Sequence, residues 1–389
     1  MRSRRLESVD ALRGIVMILM ALDHTRDFLG SQAVNPIDLS RASAGLFLTR
    51  LLTHICAPVF FLLTGTGACL ALRRKSIGEL SRFLLTRGIW LIVLEVTVFR
   101  CLAMQFNFDY HMTMLVVLWA LGWAMITLSA LVHLPKWAVS TIGVVMIAGH
   151  NLLDSVQPAT FGKLAPLWMI LHVPGPVFSI GNHMVFVAYP LIPWVGVTAV
   201  GFSLGQIFDW PAERRKKFLL RLGLGLFAAF MVLRAVNIYG DPAPWATQKS
   251  AAFTVLSFLN TTKYPASLLF LLMTLGPAML LLLAFESGVP HWLKPALVYG
   301  RVPLFYFVLH FALIHVVAVV VCQLRFGQMR PMFESPDPSR FPFTALPGWG
   351  FSLPAVYLSW ALVVIALYPL CAWFADVKRR RSDEWLSYM

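Results

Sequence analysis

One apolar stretch, Asp10 to Asp27 (DALRGIVMILMALDHTRD), carries an unusual set of reactive groups. Its middle, Ile15 to Leu22, is wholly apolar; Asp10 and Arg13 precede it, and Asp23, His24, Arg26 and Asp27 follow. Arg13 and His24 are eleven residues apart. At roughly 3.6 residues per turn that is close to three turns, so the two share a face about 16 Å apart along a helix. Asp10, Met17, Met20 and Asp27 fall near the same stripe. A neutral histidine can take a proton from a hydroxyl or amine, or carry a transferred group itself. Asp27, one turn beyond His24, can fix its tautomer and support the imidazolium, whereas Asp23 lies about 100° around the helix and faces another neighbour. The guanidinium of Arg13 suits a phosphate.

The helix that holds these groups has to lie in a membrane. Of 389 residues 58% are hydrophobic and only 13% charged, with mean hydropathy +0.73, which excludes an ordinary soluble domain. The net charge of +14 does not point to nucleic acid, because the basic residues sit in short clusters between apolar runs. These are Arg2/Arg4/Arg5, Arg73–Lys75, Arg214–Lys217 and Lys378–Arg381. The five cysteines, Cys56, Cys69, Cys101, Cys322 and Cys371, lie in or beside apolar segments with neither metal nor disulfide spacing. No metal is expected. The N-terminus has a positive start and an apolar core without a small-residue cleavage site, and reads as a retained first span.

A bilayer needs about 20 apolar residues per helix. That measure predicts an all-α, polytopic helix bundle, one domain over residues 1–389, with about ten spans: 9–29, 46–72, 83–104, 112–132, 136–153, 183–208, 217–238, 265–285, 297–324 and 353–377. Residues 164–180, broken by three prolines, read as a re-entrant or surface-lying piece. With both termini cytoplasmic, every basic cluster falls on the cytoplasmic side.

Further polar groups mark this frame. In the second span Arg50 and His54 share a face, Pro58 can kink the helix, and Gly65 and Gly67 allow close helix contact. Glu95 in the third span needs a partner from a neighbouring span, and serves either a polar network or catalysis. The loop 105–111 offers Asp109, Tyr110 and His111, while Asn182 and His183 stand at the mouth of the sixth span. Asn260, Lys263 and Tyr264 belong to a polar cluster before the eighth. The ninth puts Arg301 near the cytoplasmic face, His310 near mid-membrane and His315 further out.

Four segments carry a resemblance: RLESVDALRGIVMILMALDHTRD, THICAPVFFLLTGTG, NTTKYPASLLFLLMTLGP and GRVPLFYFVLH. Together, in this order, they resemble the bacterial branch of the heparan-alpha-glucosaminide N-acetyltransferase catalytic-domain family, within a wider set of multi-span acyltransferases that modify sugars and glycans. The resemblance runs from about residue 5 to 320. It implies a multi-pass protein of the bacterial inner (plasma) membrane, with an acyl-CoA donor, acetyl-CoA first, on the cytoplasmic side. The acceptor, a saccharide or glycolipid, lies on the far side; a homodimer is compatible with it.

Carried over residue by residue, His24 is the base or acyl carrier and Arg13 lies on the donor side; by position, Asp27 joins His24 and Arg301 joins Arg13 as candidates. Asp23, Arg50, Asn182, His183, Asn260, Lys263, Tyr264 and His310 are candidate acceptor contacts. One departure matters. In the lysosomal branch the catalytic histidine lies in the loop after the first span, and residues 28–45 here contain none. Either His24 or His54 does the work. A transporter or flippase that relays protons or binds an anionic solute through the same buried groups is the alternative, although no internal repeat supports it.

Overall fold

A computed structural model of the chain describes residues 6–31, 34–381 and 383–388. The basic cluster Arg2, Arg4 and Arg5 lies outside the described residues. Two compact units form: one from the described residues up to Cys56 with Val98–Asp109 and Leu281 onward, the other from Ala57–Thr97 and Tyr110–Leu280.

The first unit is built around α1 (Glu7–Leu29), which packs against α2 (Ala44–Thr53), α12 (Lys294–Arg301), α13 (Pro303–Phe326) and α14 (Leu353–Arg380). Ala11, Leu12, Val16, Met17, Ala21 and Leu22 are wholly enclosed. Neighbours even reach its backbone carbonyls: Trp360 Nε1 donates to Ile18 O at 2.8 Å, Trp349 Nε1 to Phe28 O at 3.1 Å, and Cys56 Sγ to Val16 O at 3.3 Å. Glycine sets the approach of α12. A Cβ on Gly14 would stand 1.9 Å from the Ala296 carbonyl oxygen, and one on Gly300 would stand 2.0 Å from that of Asp10. Gly14→Ala is therefore expected to cost about 2 kcal/mol, as overpacking does, read as a lower melting temperature in detergent. Gly67→Ala, whose Cβ meets nothing within 4 Å, is the control and should melt at or above wild type.

In the second unit, α3 (Cys56–Ala71) begins at its border. Next come α4 (Ile77–Leu94), α5 (Val117–Leu131), α6 (Lys136–Gly149), α7 (Ala165–Leu171), α8 (Leu191–Leu204), α9 (Ala212–Val236), α10 (Ala251–Leu259) and most of α11 (Leu268–Phe285). Small residues again let helices touch, Gly88 against Gly122 between α4 and α5 and Gly143 against Gly196 between α6 and α8. Among the described residues, six helical segments are long and apolar enough to cross a membrane, or seven if the bent pair 136–153 and 158–171 counts as one. On α9, Leu220, Leu224, Phe227 and Met231 form an exposed apolar stripe; Leu358, Leu362 and Ile365 do so on α14. In water such stripes would drive aggregation, whereas lipid covers them. The chain is a mostly helical, multi-pass membrane protein.

Several boundaries differ from the sequence expectation, each for a local reason. The fold is not purely α: β1 (Met112–Leu115), β2 (Gly175–Ile180) and β3 (His183–Val187) form a sheet in the order β1-β3-β2. β3 pairs parallel to β1 and antiparallel to β2. Residues 112–115 and 183–187 were expected as the starts of spans, but a short apolar run reads equally as a buried strand. Pro190 then disfavours helix at the residue before it, so α8 starts at Leu191. The second span breaks at His54, because Pro58 cannot donate to the His54 carbonyl and its ring crowds that oxygen. The ninth breaks at Val302, whose ψ of 49 precedes Pro303. Between Leu94 and the loop, Glu95–Met104 widens into a π-helix.

Candidate functional site

The last turn of α1 gathers Asp23, His24, Arg26 and Asp27. Asp23, at 9% side-chain exposure, accepts from Thr53 Oγ1 at 2.9 Å and from Arg26 Nη2 at 2.9 Å, and pairs closely with Arg50. The neighbour that its helical position demands is therefore α2. Asp23 and Arg50, two expected acceptor contacts, spend their charges on each other. Arg26, which spacing alone did not single out as a site residue, bridges the two acids of the turn by also donating to Asp27 Oδ1 at 2.6 Å.

His24 points to the other side, toward α13. Its ring centroid lies 3.9 Å from that of Phe311 and 5.3 Å from that of His310. Its Nδ1 is 3.9 Å from Asp27 Oδ2, within ion-pair reach but longer than a hydrogen bond. The His24 side chain is 19% exposed and that of Asp27 41%, so neither is sealed in the core. His310 is fully buried and its Nδ1 meets the Tyr306 carbonyl at 2.9 Å. A carbonyl only accepts, so Nδ1 carries the proton and Nε2 presents a lone pair. That Nε2 has no hydrogen-bond partner among the described residues. Farther along α13, His315 Nε2 meets Met332 O at 2.8 Å and its ring stacks on Phe106 at 4.1 Å, which is ordinary core packing. His54 is buried at 2% exposure where the second span breaks.

Arg13 meets α12, whereas His24 meets α13, the other half of the broken ninth span. Arg13 Nη1 donates to the Gly300 carbonyl at 3.0 Å and to Asp10 Oδ1 at 3.1 Å. This engages Arg13 in holding α1 to α12. Arg301, the next residue after Gly300, is less committed: its Nε is buried and without a hydrogen-bond partner among the described residues. A guanidinium there suits an anionic group.

The remaining expected contacts belong to the second unit. Asn182 and His183 are exposed at the β2–β3 turn, with His183 stacked on His111 at 5.1 Å. The cluster 260–264 is organised by two residues that no spacing singles out, Asp241 and Arg234. Asp241 accepts from Thr262 N and Oγ1, both at 2.8 Å, and from Ser267 Oγ at 2.6 Å. Arg234, 1% exposed, donates to the carbonyls of Phe258, Ala243, Ser257 and Asn260 at 2.7–3.1 Å. Asn260 thus serves through its backbone. Lys263 lies 5.2 Å over the Tyr264 ring, and the Tyr264 hydroxyl is 3.5 Å from that of Tyr189. Glu95, 1% exposed, accepts from the backbone N–H groups of Val116, Leu118 and Trp119 at 2.7–3.0 Å. It caps α5, a structural duty.

A further group of metal-ligating type, His150, Asp154 and His172, was not foreseen in the sequence. Only His150 and Asp154 show helical spacing; the fold brings in His172.

The model of the family described as heparan-alpha-glucosaminide N-acetyltransferase, catalytic, matches residues 5–239. The match includes α1 with Arg13 and His24, and the second span with Arg50 and His54. It ends before the segments around Tyr264, Arg301 and His310 that also carried the resemblance. A search of curated proteins finds no match.

Proposed function

We propose that this chain, which belongs to the heparan-alpha-glucosaminide N-acetyltransferase catalytic family, moves an acyl group, acetyl first, from cytoplasmic acyl-CoA to a sugar, glycan or glycolipid on the far side of the plasma membrane. The observation that carries this reading is His24. It lies within the family match, is partly exposed, and is flanked by Asp27 at 3.9 Å and the His310 ring at 5.3 Å.

In this reading neutral His24 takes the proton of the acceptor hydroxyl or amine as that atom attacks the thioester carbonyl. The new C–O or C–N bond forms, the C–S bond breaks, and the proton passes from His24 to the departing CoA thiolate. Asp27 favours the transient imidazolium, and Arg26 keeps Asp27 in place. His310, held by Tyr306, offers its Nε2 lone pair to the same neighbourhood. All ten apolar segments contain a helix, and with all ten crossing, Arg73–Lys75, Arg214–Lys217 and Lys378–Arg381 share the side of the N-terminus. Arg13 and Arg301 then lie toward the cytoplasm and His24 toward the outer half. The uncommitted guanidinium edge of Arg301 is the better anchor for the CoA phosphates, since Arg13 already holds Gly300.

Arg301→Ala should raise the KM for acetyl-CoA about tenfold, the size of one lost charge-assisted hydrogen bond, with kcat at saturation little changed. Steady-state kinetics against acetyl-CoA concentration checks this, and an unmoved KM would remove Arg301 from the donor site. The function as a whole is tested by incubating purified protein with labelled acetyl-CoA and a panel of amino sugars, neutral sugars and glycolipids. Acceptor-dependent release of CoA supports the reading. Absence of both CoA binding and thioester consumption would shift it to transport.

A further inference from the structure

We propose that His150, Asp154 and His172 bind a first-row divalent transition ion, with zinc the best match, and that the ion pins a bend in the second unit. After α6 the chain makes one 3-10 turn, His150–Leu153, and the following helical stretch, Pro158 to Leu171, is turned by 111°. His150 and Asp154 stand on one arm of this bend. His172 follows α7 on the other.

One ligand atom from each residue lies within 4.8 Å of the other two. His172 Nε2 is 3.3 Å from Asp154 Oδ1, and the two imidazole rings meet edge-on with centroids 5.5 Å apart. Both histidines are enclosed, at 2% and 1% exposure. None of their four ring nitrogens makes a hydrogen bond of ordinary geometry to a described residue, although the Ala266 carbonyl approaches the His150 ring. Leaving a buried polar group unsatisfied costs about 1–3 kcal/mol. Two such imidazoles facing one carboxylate are a poor core and a good ligand set.

The carboxylate is also held for the purpose. Asn151 Nδ2 donates to Asp154 Oδ2 at 2.8 Å, which leaves Oδ1 toward the histidines, and Asn151 Oδ1 accepts from Leu268 N at 2.9 Å. Such support behind a ligand is typical of metal sites. Two imidazole nitrogens and one carboxylate oxygen favour zinc and its transition-metal neighbours over magnesium or calcium. Three protein ligands leave a fourth, tetrahedral position for water. The ion would join the two arms of the bend, so its binding energy adds to the stability of the bend.

The test uses the full chain, purified without a histidine tag, stripped with a chelator and titrated with Co²⁺ and then Zn²⁺. About one equivalent of Co²⁺ should bind, give visible ligand-field bands, be displaced by Zn²⁺ and raise the melting temperature. His172→Ala should abolish the bands. Asp154→Asn, at a side chain 21% exposed, should weaken Co²⁺ binding at least about tenfold and keeps the test decisive if the buried variant fails to fold. No uptake by the wild type, or equal uptake in Asp154→Asn, would overturn the proposal.

Discussion

His24→Ala should lower acyl transfer by about 10²- to 10⁴-fold, the range lost with a general base, while the protein melts as the wild type does. The selectivity follows from where the side chain stands. His24 is 19% exposed and touches Phe311 and His310 by ring contact, so truncation leaves a partly open surface while Asp27 keeps its bond to Arg26. Asp23, its sequence neighbour, behaves oppositely: Arg26, Arg50 and Thr53 all converge on it. His54→Ala is the companion variant. At 2% exposure His54 is enclosed at the helix break, so its truncation should change the melting temperature more than the rate of chemistry. Loss of transfer in His54→Ala together with full activity in His24→Ala would assign the base to His54.

Glu95→Ala should produce the reverse pattern, a protein that unfolds before its chemistry can be measured. The Glu95 carboxylate satisfies three backbone N–H groups at the start of α5. In a membrane no water replaces them. With each orphaned donor costing about 1–3 kcal/mol, the loss is expected to reach about 3 kcal/mol or more. Glu95→Gln keeps an amide oxygen that can accept from part of this set, so it should recover much of the melting temperature. A catalytic Glu95 would behave otherwise, with both variants folded and both inactive. Thermal unfolding in detergent, measured beside acetyl-CoA turnover, separates the two outcomes.

The membrane character of the chain was legible because lipid imposes long apolar runs. α1, α9, α11 and α14 fall within a few residues of the spans read from the sequence. Met112–Leu115 and His183–Val187 were not legible as strands, for a physical reason. A short apolar run satisfies a buried strand as well as a helix, and only the pairing of β1 with β3 decides between them. Helical geometry predicts a shared face for Arg13 and His24; in the fold Arg13 meets α12 and His24 meets α13, the two halves of the broken ninth span. That Asp23 needed a second element was legible too, but not that Arg50 and Thr53 would supply the partners. Arg26 stood in plain view three residues from Asp23. Its role as a bridge depends on a rotamer choice between two acids that spacing does not fix. His172 was invisible as a partner of His150 because the 111° bend, not helical periodicity, brings it close.

The most direct test of the proposed transfer uses the protein in sealed vesicles, with labelled acetyl-CoA on the side of the C-terminal Lys378–Arg381 cluster and the sugar acceptor on the other. Label should appear on the acceptor, with one CoA thiol released per acyl group moved, and both signals should vanish in His24→Ala. Wild-type vesicles that release no CoA and label no acceptor, or a His24→Ala protein that still does both, would contradict it.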